Sequence, residues 1–307
     1  MTRVQQKPAL TGTNGSGADL TIGGLRMDPA EVWQTMLRFS GPTPAEIDAM
    51  RQTVDVLFQR GYELVVGTYD HLQRSPGTAR VLGWERGMDE HHLAERRRFF
   101  TIWLARTLSI DLGTDYARYL FRAGQVHAAH GPRHIHTPAM WVTGSMGLVL
   151  GAFAQFIQGA HDDVKVVAPA LAGWNKYLMI QLNQMMEGYE TARDLDAGEV
   201  VLPVKAYNLI REAWGRVGLD VHLNPGAVVA DALRKLLNYS PELRDVVFEK
   251  HWDSEIDERS EWTEAVLHYR LRSGWRILLN GKDLAYHGGF GRVIQPGDML
   301  EMAPPGR

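Results

Sequence analysis

Residues 122–142, RAGQVHAAHGPRHIHTPAMWV, place four of the chain's twelve histidines, His127, His130, His134 and His136, within ten positions. What leads into them reads as a helix. In TDYARYLFRAGQVHAAH, Tyr116, Leu120, Ala123 and His127 recur at i, i+4, i+7 and i+11, a single stripe of a 3.6-residue repeat. His127 therefore falls on the buried face about one turn before Gly131-Pro132 stops the helix, and His130 flanks that face near the exit. His134 and His136 fall in a short, solvent-accessible loop. Three readings follow. His127 is a core histidine with satisfied hydrogen bonds and surface neighbours; or the cluster binds zinc; or one axial histidine on an apolar helix face ligates haem iron, with the next helix walling the pocket. For zinc, a His-x2-His pair on one helix lacks a nearby carboxylate, and no HExxH pattern is present. The stripe alone leaves the first and third readings open.

Outward from this stretch the chain reads as helix after helix over residues 28–195. TPAEIDAMRQTVDVLFQRG opens on Thr43-Pro44, a capping residue followed by proline in the first turn, and Thr137-Pro138 starts a later helix the same way. YELVVGTYDHLQR ends at Ser75-Pro76-Gly77, EHHLAERRRFFTIWLARTL follows, and GWNKYLMIQLNQMMEGYETARD sets Trp174, Leu178, Leu182, Met185 and Tyr189 on one face. The run AMWVTGSMGLVLGAFAQFIQGA, residues 139–160, carries no charge and is long enough to cross a bilayer. Its two Gln, its four Gly and the lack of flanking basic residues favour a helix buried on most sides inside a globular domain.

Composition narrows the function classes. The 307 residues are 45% hydrophobic and 22% charged, with a net charge of −3, which suits an ordinary globular protein of about two domains. No basic block supports nucleic-acid or anionic-membrane binding. With no cysteine, disulfides, thiolate nucleophiles, Cys-ligated zinc and iron–sulfur clusters are excluded. Residues 1–27 read as a polar, flexible tail without the apolar segment of a signal peptide, so a cytoplasmic protein is expected.

The pattern changes at residues 196–199, read as a linker. Beyond it VVLPVKAYNL and VGLDVHLNPG are strand-like, AVVADALRKLLNYSPELRDVV is an amphipathic helix, and EAVLHYRLRSGWRILLNGKDL holds two strands with Asn280-Gly281 as a hairpin turn. GDMLEMAPP closes as a last strand. The order over residues 200–307 predicts a small α+β roll. Gly288, Gly289 and Gly291 lack the strand-to-helix setting of a phosphate loop.

Residues 28–195 resemble the sensor globins, the protoglobins and globin-coupled sensors. YLFRAGQVHAAHG followed by a prolyl helix start and MWVTGSMGLV is similar to that family's proximal-histidine segment, VVGTYDHLQRSPGTARVL to its second helix, and LNQMMEGYETA to its last. The resemblance implies an all-α globin fold holding haem b, with His127 as the proximal ligand of the iron. It implies Tyr69 as a distal hydrogen-bond donor to a bound gas. A buried tyrosine with its hydroxyl tied to the backbone is the other reading, while Val65, Val66 and Leu72 mark the inward face. Phe99 and Phe100 stand as distal pocket walls or as core packing, and Trp141 beside the proximal side. A homodimer through the last two long globin helices is also implied.

Residues 200–307 resemble the ubiquitin-like sulfur carriers of molybdopterin and thiamin synthesis, in VLPVKAYNLIREAWG, LNPGAVVADALRKLLNYSPELRDVV and ILLNGKDLAYHGGFGRVIQPGDMLEMAPPGR. This implies a β-grasp domain, with EKHWDSEIDERSEWTEAVLHY as an insertion or an elaborated strand. A carrier ends in Gly-Gly, because only a tail without side chains enters the activating enzyme's channel. This sequence ends Pro304-Pro305-Gly306-Arg307, so a docking or regulatory module is expected instead.

The combined expectation is a haem sensor or carrier for O2, NO or CO, coupled to a ubiquitin-like module that docks a protein partner. The alternatives are a haem enzyme of NO dioxygenation or peroxide chemistry, for which no distal His/Arg pair is legible, and a sulfur-carrier-related protein.

Overall fold

The computed structural model describes residues 18–256 and 263–305. The chain divides into a helical unit, Arg26–Ala197, and a mixed unit made of Gly198 onward together with the segment ending at Leu25. The helical unit is thus interposed in the sequence of the other.

Eight helices build the first unit: α1 (Pro29–Ser40), α2 (Pro44–Gln59), α3 (Gly61–Arg74), α4 (Pro76–Leu82), α5 (Glu90–Leu108), α6 (Thr114–His127), α7 (Ala139–Ala160) and α8 (Val164–Leu195). The two short helices, α1 and α4, each start on a proline, where the missing N–H costs nothing. α2 begins with a reciprocal cap: Glu46 N donates to Thr43 Oγ1 (3.3 Å) and Thr43 N donates to Glu46 Oε2 (2.7 Å). Thr43→Ala is expected to cost about 1 kcal/mol, read as an earlier midpoint in urea unfolding; an unmoved midpoint would show that the cap carries no stability.

α8 is longer than its apolar stripe predicts, because it runs unbroken through Pro169, whose lost donor lies close to the helix start. It is the axis of the core. Trp174 Nε1 donates to Thr53 Oγ1 (2.9 Å), Tyr177 OH to Asp111 O (2.7 Å), and Gln181 Oε1 accepts from Trp103 Nε1 (2.9 Å) and Tyr116 OH (2.9 Å). α7 departs from expectation. It buries one stripe, Val142, Met146, Val149, Phe153, Phe156 and Ile157, and leaves Thr143, Gly144, Gly147, Gly151 and Gln155 exposed, so it is not enclosed on most sides. Among the described residues it is the one helix long and apolar enough to cross a membrane. Its missing charges belong to an open, uncharged face.

The second unit holds a five-stranded sheet in the order β3-β2-β8-β6-β7: β2 (Val200–Ala206), β3 (Gly218–Leu223), β6 (Arg276–Leu279), β7 (Lys282–Asp283) and β8 (Leu300–Ala303). β2 pairs parallel with β8 and antiparallel with β3, and β8 pairs antiparallel with β6. Helix α10 (Val229–Tyr239) buries Val229, Ala232, Leu233, Leu236 and Leu237 in the core that Leu202, Val204, Val221, Ile277, Leu279, Leu300 and Met302 complete. This topology is the β-grasp. Asn280 and Gly281, with φ of 53° and 75°, form the turn their types favour. The stretch read as one amphipathic helix breaks at Ser240-Pro241 into α10 and a short α11 (Arg244–Val247), and a further short helix, α9 (Asn208–Trp214), was not read from the sequence.

The predicted insertion is a hairpin, β4 (Phe248–Ile256) with β5 (Thr263–Leu271). Its third strand comes from within the expected flexible tail: β1 (Thr21–Ile22) pairs with β5, Phe290 N donates to Asp19 O (2.9 Å) and Arg234 Nε to Gly23 O (3.0 Å). Ile22 is buried, which supplies the apolar reason for a polar-looking segment to order. The tail's first seventeen residues, and the Gly306-Arg307 end on which the sulfur-carrier alternative turns, lie outside the described residues.

Candidate functional site

α3, α4, α5, α6, α7 and α8 enclose a mainly apolar cavity of about 380 Å³, within the size range of cofactor and small-ligand sites. His127, Tyr69, Phe99, Phe100 and Trp141, drawn from four helices, all line it. The structure therefore brings the five expected residues together.

His127 is the last residue of α6, where the stripe begun by Tyr116 and Leu120, both fully buried, opens onto the cavity. The backbone carbonyl of Ala123, one turn back, accepts from Nδ1 at 2.7 Å. That bond sets the tautomer and leaves Nε2, with its lone pair, for the cavity. Burial lowers the pKa of the imidazole, the Ala123 bond opposes this, and the Arg96 charge adds to the lowering. The ring is held neutral, as a metal ligand must be.

The other three histidines are not brought to His127. His130 Nε2 meets Asp196 Oδ2 (3.1 Å) and His136 Nε2 meets the Tyr189 hydroxyl (2.7 Å), so both fasten the 127–137 segment to the end of α8. His134 is exposed, with φ of 50°. Among the described residues no three His, Asp or Glu side chains gather as a metal site, so the zinc reading finds no support there.

Tyr69, on α3, is largely enclosed. Its hydroxyl donates to the Arg96 carbonyl oxygen (2.9 Å), and its ring meets Trp84 and Phe100 edge-on at 6.3 and 6.1 Å. Burial pushes its pKa up to about 12, so it stays a neutral donor. In this state the donor is spent on the backbone, as the second reading of Tyr69 held. Phe100 packs on Trp103 (5.3 Å between rings), whereas Phe99 is 61% exposed and edges the cavity mouth. Trp141 lies over Gly77 of α4, where a Cβ would come within 2.6 Å of Cζ2; only glycine lets α4 approach the indole so closely.

Sequence reasoning missed Arg96. It lines the cavity, and its Nε donates to Nε2 of buried His92 at 3.0 Å. His92 itself lies behind the wall, packed on Trp84, so the cavity presents the arginine and not the histidine of this pair. The i, i+4 spacing in EHHLAERRR was the available signal, obscured by its charged neighbours.

A family model described as Protoglobin matches residues 30–194. Among solved structures, the globin domain of a Geobacter sulfurreducens globin-coupled sensor is 21% identical and covers 52% of this chain and 95% of its own, with a TM-score of 0.41. The globin domain of E. coli DosC is 15% identical over 53% and 97%, with a TM-score of 0.39. The small archaeal modifier protein 1 of Methanosarcina acetivorans is 28% identical over 36% of this chain and 96% of its own, with a TM-score of 0.27. None of the curated proteins is matched at a significant level.

Proposed function

Because the chain belongs to the protoglobin family, we propose that its helical unit binds haem b through His127 and takes up a diatomic gas, O2, NO or CO, as a sensor whose β-grasp unit docks a protein partner. The observation that carries this is a neutral, enclosed histidine with Nδ1 fixed by a backbone carbonyl, set in the wall of an apolar cavity of about 380 Å³. These residues fit the group: the donor is a lone imidazole nitrogen and the walls are mainly hydrocarbon. When bound, haem supplies an iron centre with a coordination position for a small neutral ligand.

The chain's own residues do the rest. Ala123 O orients the imidazole. Leu72, Val81, Leu82, Val142 and Val149 exclude water, and Phe99 and Phe100 flank the entrance and the inner wall. Tyr69 can offer its hydroxyl to a gas by giving up the Arg96 carbonyl, a short rotation for a group already on the cavity wall.

α6 lies in backbone contact with α8, which continues through Asp196 into the residues before β2. A shift of His127 therefore acts first on α8. The open, uncharged face of α7, with Gly144, Gly147 and Gly151, supports a homodimer through α7 and α8.

The test is an absorption spectrum of protein expressed with haem supply. A Soret band that shifts with CO is expected, and a colourless protein under saturating haemin would overturn the reading. Tyr69→Phe is expected to speed gas release by roughly tenfold, the worth of one hydrogen bond of about 1.5 kcal/mol, read by stopped-flow. Equal rates in the two proteins would leave Tyr69 as a packing residue. The Arg96 guanidinium in the cavity wall favours a second reading, turnover of NO or peroxide at the same site; steady-state consumption of either substrate separates it from sensing.

A further inference from the structure

Arg96 is a cation set into an oily wall, with the Glu95 charge near it but not in contact. Its nearest acidic neighbour in sequence, Glu95, is engaged by Arg133 (2.7 Å) and His91 (3.2 Å), and Asp89 also faces Arg133 (3.8 Å). Among the described residues no carboxylate lies within ion-pair distance of the Arg96 guanidinium. Burial, the largest influence, and the Arg133 charge weigh against its protonated form, Tyr69 and Glu95 favour it, and the guanidinium keeps its proton. A charge so placed is costly unless something pairs with it.

The side chain is nonetheless held in place. His92 is 3% exposed, packs edge-on against Trp84 (5.5 Å between rings) and accepts from Arg96 Nε through Nε2. Burial and the Arg96 charge lower the pKa of this histidine, so it remains an acceptor. With Nε taken by His92, the two terminal nitrogens form a planar pair of donors. Tyr69 abuts the same residue through its bond to Arg96 O. The α3–α5 wall therefore sets two hydroxyls, Thr68 and Tyr69, and the Trp103 indole beside one oriented guanidinium.

We propose that this cavity binds small monovalent anions, best those with two coplanar oxygens such as nitrite, with Arg96 as the charge that recognises them and His92 as the positioning residue that aims it. The fork geometry of guanidinium matches a two-oxygen anion, and the apolar surroundings strengthen the pairing. The proposal rests on the haem-globin reading, because the anion is taken to occupy the place left for a gas.

The experiment titrates haem-loaded ferric protein with sodium nitrite, and the reduced protein with CO as the uncharged comparison. In Arg96→Leu the ratio of nitrite affinity to CO affinity should fall at least tenfold, and Arg96→Lys should recover part of it. His92→Leu should weaken nitrite several-fold while His92→Gln, which keeps an acceptor for Nε, restores it. If both ligands weaken in step, or Arg96→Leu binds nitrite as the wild type does, the proposal fails. If Arg96→Leu releases haem while the haem it retains still binds nitrite normally, the guanidinium serves the porphyrin carboxylates, and the proposal again fails. A wild type without a Soret band defeats the haem reading itself, and the anion site with it. A normal Soret band with unaltered nitrite ratios defeats the anion site alone.

Discussion

His127→Ala, expressed with haem supply, is expected to emerge without a stable Soret band, or with one whose position no longer reports an imidazole on iron. Groups that only orient a metal ligand are worth 10- to 100-fold in affinity, so removing the ligand itself should cost more than roughly 100-fold, measured by competition with an apoprotein haem acceptor. The fold should survive. The side chain of His127 faces the cavity, and its one hydrogen bond goes to a carbonyl within its own helix. The helix ends through backbone bonds that the substitution leaves in place, Ala128 N to Gly124 O (3.1 Å) and Thr137 N to His127 O (2.8 Å). Far-UV circular dichroism should match the wild type, and millimolar imidazole should restore part of the spectrum by filling the vacated space. His134→Ala, at an exposed loop position, is the matched control and keeps the native band. An unchanged spectrum in His127→Ala would move the iron ligand elsewhere and end the proposed function.

Much of this was legible because the relevant signals are local. Proline-started helices, the Asn280-Gly281 turn and the stripe from Tyr116 to His127 each depend on residues a few positions apart, and each stands where the sequence places it. What escaped depends on distant partners. Nothing within residues 18–25 announces that Ile22 will be buried, because the strand it joins, β5, lies some 250 residues on in the chain. The uncharged run in α7 could not be told from a buried helix, since an exposed face of Gly, Thr and Gln carries no charge to mark it. At the site, Arg96 was hidden for a similar reason. Of three consecutive arginines, the helix turns only one into the cavity, and α5 has too few apolar residues on its inner face to give a clear stripe. The donor of Tyr69 was open to two readings from sequence, and its choice of the Arg96 carbonyl follows from the packing of α3 on α5.

Gly188→Ala is expected to destabilise the helical unit by about 3 kcal/mol, although alanine is the better helix former by about 1 kcal/mol. The sign reverses because α6 and α8 touch backbone to backbone. A Cβ on Gly188 would overlap the Phe121 carbonyl oxygen and stand 2.7 Å from its carbon; one on Gly124 would overlap the Met185 carbonyl oxygen and stand 2.8 Å from Tyr189 N. Neither obstacle is the end of a flexible side chain, so the helices must separate for a methyl to enter. Separation would open the layer where Tyr116 and Gln184 are buried, and would break the bonds that Gln181 and Gln184 make to Tyr116 OH and Ala117 O. For a unit of this size the melting temperature should drop by roughly 6–12 °C. Gly67→Ala, on exposed α3 backbone with nothing within 4 Å of its Cβ, is the control and should raise it slightly. The same contact makes a second demand on the Gly188 variant. Because His127 rides on α6, wedging α6 from α8 should shift the haem spectrum of whatever fraction stays folded, although residue 188 does not line the cavity. A variant that melts at or above the wild-type temperature would show that the two helices do not meet at their backbones, and would remove the physical link by which a movement of His127 reaches α8.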